Sequence, residues 1–297
     1  MLLDTAALYF RAFHGLPETI TAPDGTPVNA VRGLLDIVAR LVDEYAPTDL
    51  VACWDDAWRP SWRVALLPSY KAQRLDDEEA GTETVPEALT AQIPVIREAL
   101  DALGVPVVGA DDHEADDVIG TLAARASTPV DVVTSDRDLL QVVDDARGVR
   151  VISTAKGMRA LEVVTDEVLQ QRYGVTAAQY ADFATLRGDP SDGLPGVAGI
   201  GAKTAASLLQ RLGDLAGVLD AAHRGGSGLS AGQAQRLRDG ADYVRRALPV
   251  VEVVRDLDLP AVDTAIRLTD ERRAAAEDLA ARLDLGRSMA RALEALA

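Results

Sequence analysis

Cysteine is all but missing from this sequence. Its one thiol, Cys53, has no partner for an internal disulfide, which excludes a disulfide-stapled fold and fits a reducing compartment. Histidine is scarce as well: the three present show no metal-ligand spacing, so no zinc site of the His/Cys kind is expected. Aromatic residues make up 4% of the chain against abundant alanine, a composition in which helices should dominate. No apolar run is long enough to span a bilayer. The N-terminus, Met1-Leu2-Leu3-Asp4, also lacks the basic flank of a secretion signal. A soluble, cytoplasmic protein with no membrane partner is expected. Positive charge is the last deficit, with a formal net charge of −17, whereas proteins that bind nucleic acid are usually basic. The excess acid is local, however. Residues 111–145 hold ten Asp or Glu and two Arg or Lys. Carboxylates converging on divalent ions would have part of that charge offset; the alternative is a solvated acidic face.

What is present centres on Gly188-Asp189-Pro190-Ser191-Asp192-Gly193-Leu194-Pro195-Gly196, which runs on into Val197-Ala198-Gly199-Ile200-Gly201-Ala202-Lys203-Thr204-Ala205. Two carboxylates three residues apart precede a glycine hairpin and an alanine/leucine-rich helix expected from about Lys203 to Leu212. A Walker A loop is excluded, because Ala202 intervenes between Gly201 and Lys203-Thr204. A dinucleotide fingerprint is excluded too, since Pro190 and Pro195 stand where its strand would be. A helix-hairpin-helix remains, offering free N–H groups and the positive end of a helix dipole to a phosphate. An ordinary helix-to-helix connection is the bland alternative.

Acids recur at the ends of apolar strands. The first run ends at Asp4. Leu50–Trp54 ends at Asp55-Asp56. Val105–Val108 leads to Glu114-Ala115-Asp116-Asp117 before a helical run, and Val130–Val133 leads to Asp136 and Asp138. In an ideal helix Glu114 and Asp116 lie on different faces, so a shared ion requires Glu114 at or before the cap; capping of the helix dipole is the alternative. Strands alternating with helices over the first 150 residues call for a parallel sheet covered by helices on both faces. In such sheets ligands bind beyond the carboxyl ends of the strands. Carboxylates gathered there raise each other's pKa unless cations intervene, and an all-oxygen donor set selects Mg²⁺ or Mn²⁺.

Between these units, Arg59, Arg63, Lys71 and Arg74 accompany Trp62 and Tyr70. Cations beside an aromatic suit a phosphate whose base stacks on the ring, although Trp62 itself reads as a core residue. Asp76–Glu83 reads as a mobile acidic loop and His223–Gly228 as a flexible one. Beyond Thr165 helices prevail. Arg236, Arg238, Arg245 and Arg246 suit either a phosphate backbone or a solvated face. Val250–Val254 is strand-like, and helices from Glu271 are expected to pack back on the core.

Taken in order, these motifs resemble the 5′ nuclease family: the 5′→3′ exonuclease domain of bacterial DNA polymerase I, its free-standing relatives and flap endonucleases. The resemblance rests on Asp4, Asp55-Asp56 with Pro60-Ser61-Trp62-Arg63, Tyr70-Lys71-x-x-Arg74, Glu114-Ala115-Asp116-Asp117, Thr134–Leu139, and Gly188–Asp192 running into the glycine hairpin. It spans residues 1–210, more weakly to near 290. It implies an α/β, PIN-like nuclease core over 1–175, with an arch at about 59–95. A helix-three-turn-helix DNA-binding region with C-terminal helices would occupy 176–297. No polymerase domain follows, so the likeness is to a stand-alone enzyme. By resemblance, Asp4, Asp55 or Asp56, Glu114 and Asp116 hold one ion with Asp117 close by, and Asp136, Asp138, Asp189 and Asp192 hold a second. Two such ions roughly 4 Å apart activate water and stabilise the leaving 3′-oxygen. Lys71 and Arg74 would steady the phosphate, and Tyr70 would stack on the terminal base. Gly199, Gly201, Lys203, Thr204 and Arg63 would contact DNA, with K⁺ at the hairpin. The implied partner is duplex DNA carrying a 5′ flap, nick, gap or free end, bound by a monomer. Three departures stand out: the doubled acid Asp55-Asp56, Gly193 where the family usually has Asn, and the acidic segment after Arg74. A PIN-type ribonuclease and a non-catalytic DNA-binding module remain as alternatives.

Overall fold

The structure, a computed structural model, describes residues 1–77, 82–83, 85–224 and 228–297. In chain order its strands are β1 (Leu2–Asp4), β2 (Val51–Cys53), a hairpin of β3 (Leu75–Asp77) and β4 (Thr82–Glu83), β5 (Val107–Val108), β6 (Val130–Thr134), β7 (Val149–Ser153) and β8 (Glu162–Val164). Six of them form one sheet in the order β5-β2-β1-β6-β7-β8. All its pairings are parallel except the last, β7 with β8. The chain moves outward from β1 through β2 to β5 and then returns to β6 on the other side of β1. The strand order therefore reverses between β1 and β6, the kind of crevice where open α/β sheets bind ligands.

Both faces of the sheet are buried, as a parallel sheet demands. Leu2, Cys53 and Val132 point into one apolar cluster and Leu3, Ala52 and Val133 into the other. The helices of the first half are α1 (Thr5–Gly15), α2 (Asn29–Tyr45), α3 (Ser61–Leu66), α4 (Glu87–Thr90), α5 (Ile93–Ala102) and α6 (Ala115–Arg125). The apolar stripe of α2, Val31-Leu34-Leu35-Val38-Leu41-Val42, is buried throughout, and each such leucine contributes roughly 1.5–3 kcal/mol. At Gly33 a Cβ would lie 2.7 Å from that of Ala12, so glycine is what lets α1 and α2 cross this closely. The second half carries α7 (Asp166–Tyr173), α8 (Tyr180–Arg187), α9 (Ala202–Leu212), α10 (Leu215–Arg224), α11 (Ala231–Asp239), α12 (Ala241–Val251), α13 (Asp270–Leu283) and α14 (Gly286–Ala295). The last two return to the N-terminal half, with α13 against α5 and α14 against α2, in the same apolar cluster as α1. Cys53 is fully buried. Among the described residues no helix is long and apolar enough to cross a membrane.

Some elements differ from the sequence expectation. Val250 and Val251 close helix α12 and are not in a strand; a short apolar run does not by periodicity distinguish a buried helix end from a strand. Strands β7 and β8 extend the sheet where no strand was expected. Of the acidic loop at 76–83, the described backbone pairs as β3 with β4, while residues 78–81 lie outside the description. His223 and Arg224 end helix α10, and residues 225–227 of the expected flexible loop are likewise outside it. Trp62, expected in the core, is half-buried.

Candidate active site

Asp4 is both the last residue of β1 and the N-cap of α1, its Oδ1 accepting from the Ala7 N–H at 3.2 Å. Its Oδ2 accepts from Thr134 Oγ1 at 2.6 Å, and that same Oγ1 accepts from the Asp136 N–H at 2.8 Å. Thr134 thus ties the ends of β1 and β6 together. Its one signal in the sequence is a hydroxyl closing an apolar strand. Asp136 Oδ1 then accepts from the Asp138 N–H at 2.8 Å. Across β2, Asp55 Oδ1 accepts from Ala115 N–H at 2.8 Å, holding the start of α6 against the strand end. Glu114 sits at the N-cap of α6, the position a shared ion with Asp116 requires. Asp4, Asp55, Asp56, Glu114, Asp116 and Asp136 line one cavity of about 390 Å³, together with Lys71, Arg74 and an apolar wall that includes Phe10, Trp54, Trp58 and Ile93. Asp138 and Asp192 adjoin Asp136 electrostatically.

Counter-charge sorts these acids into two groups. Asp56 pairs with Arg97 at 3.6 Å, Glu114 with Lys71 and with Arg63 at 3.2 Å, and Asp117 with Arg63 at 2.7 Å. Asp189 pairs with Arg137 at 2.9 Å and Arg187 at 3.2 Å, and Asp192 pairs with Arg74 at 2.6 Å. Asp4, Asp55, Asp116, Asp136 and Asp138 have no cationic partner among the described residues. Burial raises the pKa of Asp4 to about 6, the Asp136 charge adding to it. Burial and then the Asp4 charge raise Asp55 to about 7. Asp116 and Asp138 are held well above the usual carboxylate range by burial and by the charge of Asp136. Burial likewise lifts Asp192 to about 6, against the pull of Lys71. Among the described residues no three acidic, histidine or cysteine side chains are drawn into a ready-made cage; carboxylates without an ion pair of their own repel one another, and the Lys71 charge offsets this only in part. Unpaired, partly desolvated oxygen donors on one cavity fit hard divalent cations.

Three residues expected to touch substrate or metal are placed elsewhere. Tyr70 is buried, and its hydroxyl donates to Glu114 Oε1 at 2.8 Å, so its ring offers no face to a base. Arg63 is buried and makes a double hydrogen bond to Asp117, 2.7 Å on each arm. It also donates to the Val250 and Glu252 carbonyls at 3.0 and 3.2 Å. It is a strut between α3, α6 and the end of α12, out of reach of DNA. Asp117, fully buried, is spent on that strut and on the Val254 N–H at 2.8 Å, and does not line the cavity. A guanidinium and a carboxylate in low dielectric satisfy each other before any external ligand. Lys71 remains at the cavity. Burial opposes its charge, yet Glu114 overrides this and holds its pKa well above the ordinary value. Its N–H donates to the Asp192 carbonyl at 3.0 Å, which joins the Tyr70–Arg74 segment to the Asp189–Asp192 turn. Gly193 belongs to that junction: its φ is +71°, and a Cβ there would lie 1.9 Å from the Ser69 carbonyl. Here the departure to glycine is imposed by the close approach of two backbones.

At the hairpin, Gly199 has φ +74°, Gly201 caps α9, and Gly199, Gly201 and Lys203 are exposed while Thr204 is half-buried. The Thr204 and Ala205 N–H groups donate to the Gly201 carbonyl at 3.0 and 2.9 Å, which leaves those of Ala202 and Lys203 without an acceptor among the described residues.

Compared with models of known families, residues 1–174 match the 5′-3′ exonuclease N-terminal resolvase-like domain and residues 175–274 the 5′-3′ exonuclease C-terminal SAM fold. The chain belongs to the 5′-3′ exonuclease family. A 5′-3′ exonuclease of Streptomyces coelicolor is 55% identical over 299 residues, covering 100% of this chain and 99% of that protein. DNA polymerase I of Mycobacterium bovis is 39% identical over 274 residues, 90% of this chain and 28% of the polymerase. Among solved structures, a pseudo-enzyme-product complex of the bacteriophage T5 flap endonuclease with DNA and metal ions shares the fold. Its TM-score is 0.63 at 18% identity, over 100% of this chain and 98% of that one. As a member of the 5′-3′ exonuclease family, the chain is a nuclease that hydrolyses phosphodiester bonds in DNA.

Proposed function

We propose that this exonuclease is also a structure-specific flap endonuclease acting in replication and repair in the cytoplasm. As a monomer it takes DNA with a 5′ flap, nick, gap or free 5′ end, and it depends on two or more Mg²⁺ or Mn²⁺ ions. The observation that carries the reading is the set of unpaired carboxylates on one cavity, with Lys71 and Arg74 beside them. Asp4, Asp55, Asp116, Asp136 and Asp138 would hold the ions, and Asp192 would complete the set once Arg74 turns to substrate. Bound there, divalent cations supply an activated water and stabilise the leaving 3′-oxygen. Glu114 and Asp189, already paired, position Lys71 and the Asp189–Asp192 turn. Lys71 stays charged at any working pH and, with Arg74, draws the phosphate in. The hairpin at Gly199–Thr204, with K⁺ bound there, grips the duplex backbone, so DNA structure and not base sequence is read. In this reading residues 1–175 are the catalytic unit with an arch at 59–95, and the region from 176 supplies the duplex grip.

Digestion of a 5′-labelled flap substrate with Mg²⁺ and with Mn²⁺, beside an RNA strand of the same sequence, tests this. Cleavage of the flap and not of RNA is expected; preferential RNA cleavage would favour a PIN-type ribonuclease instead. For the hairpin, Lys203→Ala weakens duplex binding and reduces the slope of log K against log salt by about one. A titration series at several salt concentrations measures it, and an unaltered slope would take Lys203 off the contact surface.

A further inference from the structure

The three tryptophans of the chain have different surroundings. Trp54 is buried, with the Arg97 guanidinium 4.2 Å from its ring centroid and Tyr9 packed beside it. Trp62 carries the Arg63 guanidinium at 4.4 Å and faces His113. Trp58 is half-buried and lines the carboxylate cavity, yet among the described residues no ring, cation or hydrogen-bonding group engages its indole. What is engaged is its backbone: the Trp58 carbonyl accepts from Lys71 Nζ at 3.3 Å. The residue is thus anchored at the cationic edge of the cavity by its backbone, while among the described residues its ring has no stacking, cation or hydrogen-bonding partner. A large, half-buried aromatic ring lining the cavity beside two phosphate-seeking cations has the composition of a nucleobase platform. Tyr70 cannot supply one, since it is enclosed against Glu114. Phe10, on the same wall, is already packed on Tyr9, ring centroids 5.2 Å apart.

We propose that Trp58 is the stacking platform for the unpaired nucleobase on the 5′ side of the scissile phosphate, the phosphate drawn in by Lys71 and Arg74. This rests on the nuclease reading of the cavity and adds a substrate-positioning residue to it. Stacking tolerates any base, so the platform fixes where the strand end lies without imposing a sequence preference.

The test pairs the enzyme with two flap substrates in Mg²⁺, one normal and one carrying an abasic residue at the 5′ position beside the scissile phosphate. Trp58→Ala should lower kcat/KM on the normal substrate by roughly 5- to 100-fold. The wild type should lose a similar factor on the abasic substrate, and the two proteins should then be equal on it. Trp58→Phe, which keeps a ring, should recover most of the loss. If Trp58→Ala does not fold, the abasic penalty of the wild type and its persistence in Trp58→Phe still decide the matter. An equal loss on both substrates would mean that Trp58 only shapes the cavity, and a wild type indifferent to the missing base would overturn the platform while leaving the nuclease reading intact. Failure of the wild type to cut either substrate would remove that reading, and the platform with it.

Discussion

Asp136→Asn stops cleavage, lowering the single-turnover rate by on the order of 10³-fold or more, and leaves DNA affinity unchanged. Asp136 is the acid whose charge Asp4, Asp116, Asp138 and Asp192 all feel, and it has no cationic partner among the described residues. Asparagine is isosteric and its carbonyl oxygen still accepts the Asp138 N–H, so geometry is retained while one anionic oxygen donor is lost. The same loss relieves like-charge repulsion. In metal-free buffer near pH 8 the variant should therefore unfold at a higher temperature than the wild type. A gel-shift titration alongside cleavage of a 5′-labelled flap reads the first part and a thermal melt the second. Full activity with saturating Mg²⁺ would exclude Asp136 from the centre, and a lowered melting temperature would make its role structural.

Arg63→Ala costs about 3–5 kcal/mol of folding stability, because it leaves Asp117 charged, buried and unpaired. The double hydrogen bond at 2.7 Å and the two carbonyls of the α12 end lose their donor together. Arg63→Lys restores the charge without the fork and should recover only part of the loss. Replacing both partners, Arg63→Met with Asp117→Leu, removes the orphaned charge and should recover more than lysine does. Urea denaturation measures each. DNA binding by whatever fraction remains folded should keep the wild-type salt slope, since a buried strut releases no counterions. An unchanged denaturation midpoint, or a flattened slope, would return Arg63 to the surface role that its place in the motif suggested.

The acids at strand ends were legible because each is a local event: an apolar run that ends in a carboxylate and then turns helical. Asp4, Asp55, Asp116 and Asp136 could be found that way, and the alternation of strands and helices dictated that the runs lie parallel. Thr134 was counted in a motif but given no role, because one hydroxyl at the end of a strand is no signal until the neighbouring strand brings Asp4 to it. Tyr70 and Arg63 misled for the opposite reason. Their residue types announce stacking and phosphate binding, but whether a ring or a guanidinium faces solvent depends on what packs over it. Here that is Glu114 for one and Asp117 with the α12 end for the other. The Val250–Val254 run could equally have closed a helix or formed a strand, since four valines around Glu252 satisfy either pattern.

The order of residues alone determined the chemistry of this protein: which strand ends carry oxygen donors, where a glycine hairpin opens a helix, and that no thiol or imidazole competes for an ion. Only the tertiary structure decided how those donors are charged. Ion pairing is set by distance across the fold, and arginines at 63, 97, 137 and 187 neutralise acids far from or near them in sequence without regard to motif. The carboxylates left without a salt bridge among the described residues are the ones we propose to hold the ions.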